Sequence, residues 1–117
     1  MRAVATAAPG IDADDAAALK KLARQAGAAA QLLKLLGNEK RLLVLCFLAA
    51  RGEMTVGEIV DLVDLSQSAL SQHLGKLRAD GLVTFRRTSQ TLHYSVADKR
   101  TLRVLQVLKE IYCGKLK

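Results

Sequence analysis

"DLSQSALSQHLGKLRADGLV", residues 64–83, decides the fold. Ser66 suits a helix N-cap, because its hydroxyl can accept from a free backbone N–H of the first turn. Gly81 suits the stop, because a left-handed residue there costs glycine little. Between them Leu70, Leu74 and Leu77 fall within about 60° of arc at 100° per residue. The opposite arc holds Ser68, Ser71, Gln72, Gly75 and Ala79, with no acid. The spacing predicts a helix with an aliphatic back and a front of short, hydrogen-bonding side chains. After Gly81 the period changes to two. Val83, Phe85, Leu92, Tyr94 and Val96 alternate around a polar centre, which predicts a two-stranded hairpin with its tip at Arg86 to Gln90.

On the N-terminal side, Thr55 caps a short third helix that buries Val56, Ile59, Val60 and Val63. A tight turn then leads into the polar-fronted helix. Further back, "RLLVLCFLAARG" (residues 41–52) carries seven consecutive apolar residues, Leu42 to Leu48. They cover nearly the whole circumference of a second helix, from about Glu39 to Ala50, so it is expected to be central and buried. Asn38 caps it, and Arg51-Gly52 stops it. Leu19, Leu22, Ala26, Ala29, Leu33 and Leu36 recur at spacings of three and four, which gives a first helix from Ala16 to Leu36 ended by Gly37. Asp12, Asp14 and Asp15 favour its start. Residues 1–11, with Pro9 and Gly10, read as a flexible tail, and residues 12–117 as one domain. A last helix, from Lys99 to about Tyr112, bears more apolar residues than a peripheral helix needs (Leu102, Val104, Leu105, Val107, Leu108, Ile111). The expected architecture is mainly α: five helices and one β-hairpin, a winged helix-turn-helix forming a homodimer through its first and last helices.

The totals agree with one small, basic domain. The chain has 117 residues, half of them hydrophobic, which allows one core. Eighteen Lys and Arg face 11 Asp and Glu, a net charge of +7 that fits a polyanionic partner. No run approaches membrane-spanning length, and the N-terminus lacks the apolar stretch of a signal peptide. A cytoplasmic protein with reduced thiols is expected, since two cysteines make neither a disulfide scaffold nor a complete thiolate zinc site. No Ser/His/acid set, phosphate loop or paired carboxylate suggests an enzyme.

Groove geometry connects this pattern to function. The major groove admits one helix, and short polar side chains near its start reach base edges. A basic hairpin behind it reaches phosphates or the minor groove. "LLKLLGNEKRLLVL", "LSQSALSQHLGKLRADGLV" and "RRTSQTLHYSV" together resemble the bacterial ArsR-type (SmtB/ArsR) repressors, over residues 16 to 113. The resemblance implies homodimers that hold double-stranded operator DNA until a signal arrives. By the groove geometry, DNA contact is expected at Gln67, Ser68, Ser71, Gln72, His73 and Lys76 of the helix and at Arg86, Arg87, Ser89 and Gln90 of the wing. His73 lies toward the edge of the buried arc, suited to packing or to phosphate. His93 reads as structural.

The resemblance also frames the signal. The family's Cys-x-Cys metal site would fall in "VGEIVDLV", which has no thiol, and its Asp/His site would fall in a last helix with no His and only Glu110 as an acid. No metal site or cofactor is therefore expected. Cys46 and Cys113 instead match the dithiol, persulfide-sensing branch typified by BigR and SqrR. That match implies a pair joined by a disulfide or polysulfide bridge, with persulfide, polysulfide or another thiol oxidant as the signal and DNA release as the result. Cys46, in an apolar helix, should have a raised pKa. Cys113, near Lys109, Lys115 and Lys117, is expected to be attacked first, with Cys46 resolving it. Three other readings fit the same residues: a metal held by the two cysteines and tail groups, a signal-independent DNA-binding module, and a protein-binding winged helix.

Overall fold

The computed structural model describes residues 15–114. In chain order they form α1 (Ala16–Leu36), α2 (Glu39–Arg51), β1 (Met54–Thr55), α3 (Val56–Leu62), α4 (Gln67–Ala79), β2 (Val83–Thr88), β3 (Thr91–Val96) and α5 (Lys99–Cys113). The chain divides into two units, one up to Leu33 and one from Lys34 onward. The expected tail over 1–11, Asp12, Asp14, Lys115 and Lys117 lie outside the described residues.

In the first unit, α1 starts where the Asp15 carboxylate accepts from the Ala18 N–H at 3.0 Å, satisfying one of the free donors of a helix start. No residue from 15 to 33 is buried. Leu22 and Leu33 are 54% and 61% exposed.

The second unit holds the core. Val44, Leu45 and Leu48 of α2, Ile59 of α3 and Leu70, Leu74 and Leu77 of α4 are fully buried. Each such aliphatic side chain contributes about 1.5–3 kcal/mol by leaving water. Met54, Leu82 and Val83 close this core from the sheet side.

The helix boundaries follow from local chemistry. Arg41 N–H donates to the Asn38 side-chain oxygen at 3.0 Å, which starts α2. The Arg41 guanidinium reaches back to the carbonyls of Leu35 (2.9 Å) and Lys34 (3.3 Å), closing the end of α1. Thr55 and Glu58 exchange side-chain and backbone hydrogen bonds of 3.2 and 2.9 Å, a complete capping box for α3. Those bonds hold the Glu58 carboxyl below its ordinary pKa. Ser66 accepts from Ala69 N–H at 3.1 Å at the start of α4. At the far end Gly81 takes φ 78°, while its N–H donates to the Arg78 carbonyl and Leu82 N–H to the Leu77 carbonyl. This is a Schellman motif, and a left-handed residue is what it requires.

The expected five helices and hairpin are present, with β2 and β3 as the hairpin. One strand is added and two expectations are corrected. The added strand, β1, pairs antiparallel with β3 (Met54 opposite Tyr94, Thr55 opposite His93), giving the order β1-β3-β2. The tip is shorter than residues 86–90. The pairing runs from Val83 opposite Val96 to Thr88 opposite Thr91, which leaves only Ser89 and Gln90 as the loop. A two-residue hairpin loop needs positive φ at its first central residue, and Ser89 adopts 54°. Finally, α2 is not buried all round. It packs against β3 and α5, but Cys46 is exposed and Leu43 is 39% exposed. Its full apolar circumference serves two purposes, one side filling the core and the other lining an open cleft.

Candidate functional site

Residues Val63 to Ser66 turn the chain from α3 into α4. Burial of Leu70, Leu74 and Leu77 against the core leaves the other side of α4 in solvent. Gln67, Ser68, Ser71, Gln72, Gly75 and Lys76 are all exposed there. The front carries no carboxylate, so an approaching polyanion meets hydrogen-bond donors and one ammonium.

His73 stands apart from that front. It is half-buried, and partial burial, helped by the nearby Arg41 charge, pushes its pKa down. That shift disfavours the charged ring. His93 is half-buried on β3, with its Nε2 2.7 Å from the Thr88 hydroxyl.

The wing is held against α4 by aromatic contacts. The Arg78 guanidinium lies 4.2 Å from the centroid of the Phe85 ring, and Phe85 packs on Tyr94 with centroids 5.4 Å apart and planes tilted by 60°. Both geometries are favourable for charge on a π face and for tilted rings. They tie the last turn of α4 to β2 and β3.

Arg86 and Arg87 are adjacent on β2, so they point to opposite faces. Arg86 is engaged: its Nε and terminal nitrogen donate to the two carboxylate oxygens of Glu53 at 2.8 and 2.7 Å. That two-pronged bond holds the Glu53 carboxyl below its ordinary pKa and raises that of Arg86. Because the pair is exposed, screening keeps its effect on stability small. Arg87, Ser89 and Gln90 are exposed, and among the described residues Arg87 makes no ion pair. Glu53 and Arg78 were not among the expected site residues. The Glu53–Arg86 bond spans 33 positions, and its ends meet because β3 pairs with β1 on one side and with β2 on the other, His93 standing opposite both Thr55 and Arg86.

The second feature is a cleft of about 750 Å³ between α2 and α5. Cys46 and Cys113 both line it, and both are exposed free thiols. Partial burial pushes the Cys46 pKa up, and the proximity of Cys113 pushes it further, since two thiolates repel. Sequence placed the two cysteines on two helices; the tertiary structure gives them one shared cavity. Among the described residues no group of three His, Cys, Asp or Glu side chains could hold a metal ion, and no helix is long and apolar enough to cross a membrane.

A capped helix with an open polar front, a tight turn before it and a basic hairpin fixed behind it define a winged helix-turn-helix regulator. Residues 38–84 match the family described as bacterial regulatory protein, arsR family. The chain is 41% identical over 95 residues to the transcriptional activator HlyU of Vibrio cholerae serotype O1, covering 81% of this chain and 87% of that protein. A structure described as reduced HlyU from Vibrio cholerae N16961 superposes with a TM-score of 0.75 at 40% identity, over 80% of this chain and 98% of the other. The crystal structure of the transcriptional repressor BigR from Xylella fastidiosa gives 0.76 at 32% identity, over 83% and 98%. The chain belongs to the ArsR family and is a transcriptional regulator rather than an enzyme.

Proposed function

We propose that the chain is a homodimeric repressor that holds operator DNA while Cys46 and Cys113 are free thiols and releases it when they are linked. The observation that carries this reading is the opening of both thiols into one cleft. A thiolate at Cys113 attacks the outer sulfur of a persulfide, taking that sulfur and expelling the donor's thiolate. The Cys46 thiolate then attacks the inner sulfur of the Cys113 persulfide. A disulfide forms and hydrosulfide leaves, so two protein thiols are oxidised and one sulfane sulfur is reduced. If both residues carry persulfides, the same displacement leaves a trisulfide and releases one hydrosulfide. The name of one relative, a repressor, and the reduced state specified for another support the reading.

The test is intact mass under non-reducing conditions, before and after glutathione persulfide. Wild type is expected to lose the mass of two hydrogen atoms, or to gain the mass of one sulfur beyond that loss. Cys46→Ser and Cys113→Ser should show no internal link. A protein that keeps both thiols under excess persulfide overturns the sensor.

On the DNA side, Gln67, Ser68, Ser71, Gln72 and Lys76 face the major groove, and Arg87, Ser89 and Gln90 face the backbone. His73 packs at the edge of this surface. Arg86 is partly neutralised by Glu53, so it offers a phosphate less charge than Arg87 does. Arg87→Ala is expected to weaken binding to all duplexes alike and to lower the slope of log affinity against log salt by about 0.9, the loss of one phosphate contact. Titrations at several salt concentrations read it. An unchanged slope removes Arg87 from the interface.

A further inference from the structure

The cleft that joins the thiols has a chemistry of its own. Its walls are mostly aliphatic, from Leu42 and Ala49 on α2 and Leu105 on α5, with the Tyr112 ring at one side. Its volume is that of a small-molecule site. Among the described residues lining it, Lys109 is the only charged one. Gln106, Lys109 and Cys113 sit at positions i, i+3 and i+7 of α5 and so share one helix face. The ammonium therefore stands one turn from the thiol expected to react first, in a cavity without a carboxylate.

We propose that this cleft is the docking site of the sulfur donor and that Lys109 makes it selective for donors carrying negative charge. The shared chemistry is an anionic sulfane-sulfur compound, either a carboxylate-bearing organic persulfide or polysulfide, or an inorganic polysulfide. The inference rests on the proposed dithiol switch and adds a selectivity to it. An ammonium at the cleft attracts such a donor before reaction and stabilises the thiolate that departs. A neutral donor gains only the second of these effects. Lys109 is a specificity residue in this account.

Two trisulfides make the comparison at constant electrophile. Glutathione trisulfide carries carboxylates, and dimethyl trisulfide is neutral. With either, two protein thiols and one trisulfide give the Cys46–Cys113 disulfide, one persulfide and one thiol, so atoms and electrons balance. The rate of link formation is followed by non-reducing intact mass for wild type, Lys109→Gln, Lys109→Glu and Lys109→Arg. Inorganic polysulfide forms a third arm.

Lys109→Glu is expected to slow the glutathione trisulfide reaction about fivefold relative to the dimethyl trisulfide reaction, the size of an exposed charge pair. Lys109→Arg should keep the wild-type ratio, and raised salt should shrink it. A larger effect in the inorganic arm than in the glutathione arm assigns the inorganic source; the reverse assigns the organic one. A ratio that Lys109→Glu leaves unchanged overturns the selectivity while the dithiol switch stands. Failure of wild type to link with any donor overturns both. Lys109 is exposed, so these variants keep the fold, and the ratio cancels any general change in thiol reactivity.

Discussion

Linking Cys46 to Cys113 is expected to lower operator affinity about 5–150-fold, the range of a coupling of about 1–3 kcal/mol. The link joins α5 to α2, and both helices pack on β3, the central strand of the wing sheet. A shift imposed at the cleft thus reaches the wing from two directions. In the proposed homodimer the link is also expected to change the angle between subunits. Two recognition helices must sit about 34–36 Å apart to enter successive major grooves, so a small rotation costs affinity.

The measurement is anisotropy titration of a duplex selected from a random pool by the reduced protein, at fixed salt. Reduced wild type and both Cys→Ser variants should bind alike, and only linked wild type should weaken. The closing step should also quicken as pH rises through neutrality. Thiolate is the nucleophile, and burial pushes the Cys46 pKa up, so the reactive fraction at pH 7 is small and grows with pH. Equal affinity of linked and reduced protein would leave the cysteines without a regulatory role.

The second large effect separates the two faces of α4. Leu74 is fully buried, and Leu74→Ala should cost about 2–5 kcal/mol of folding stability, lost transfer energy plus the cavity left behind. Gln72, two residues away, is exposed. Gln72→Ala should leave stability within about 0.5 kcal/mol of wild type and reduce discrimination at one base pair by about 1–3 kcal/mol. Urea titration reads the first, and binding to single-base operator variants reads the second. If Gln72→Ala weakened every sequence equally while Arg87→Ala changed the preference, helix and wing would exchange roles.

Much of this molecule is written in short-range patterns. The stretch from Ser66 to Gly81 specifies its own helix, because a hydroxyl cap, a leucine period of three and four and a glycine stop all act within a few residues. The same holds for Asn38 before α2 and Thr55 before α3. The front of α4 follows as soon as its leucines are assigned to the core, since exposure on a helix is the complement of burial. The change of period at Val83 announces the hairpin.

Other features depend on partners distant in the chain, and only the tertiary structure decided them. Met54 and Thr55 are two residues, too few for a strand to show a period. They become one because β3 offers an unpaired edge. Glu53 meets Arg86 through that pairing, which commits a cation that sequence assigned to DNA. Arg78 meets the Phe85 ring only because the folded chain sets β2 against the end of α4. The apolar run around Cys46 fixed a helix but not its surroundings, because hydrophobicity all round fits equally a core and a core plus an open cleft. The shared cavity of Cys46 and Cys113, 67 positions apart by their numbering, arises from how α5 returns across α2, a packing decision that no local pattern encodes.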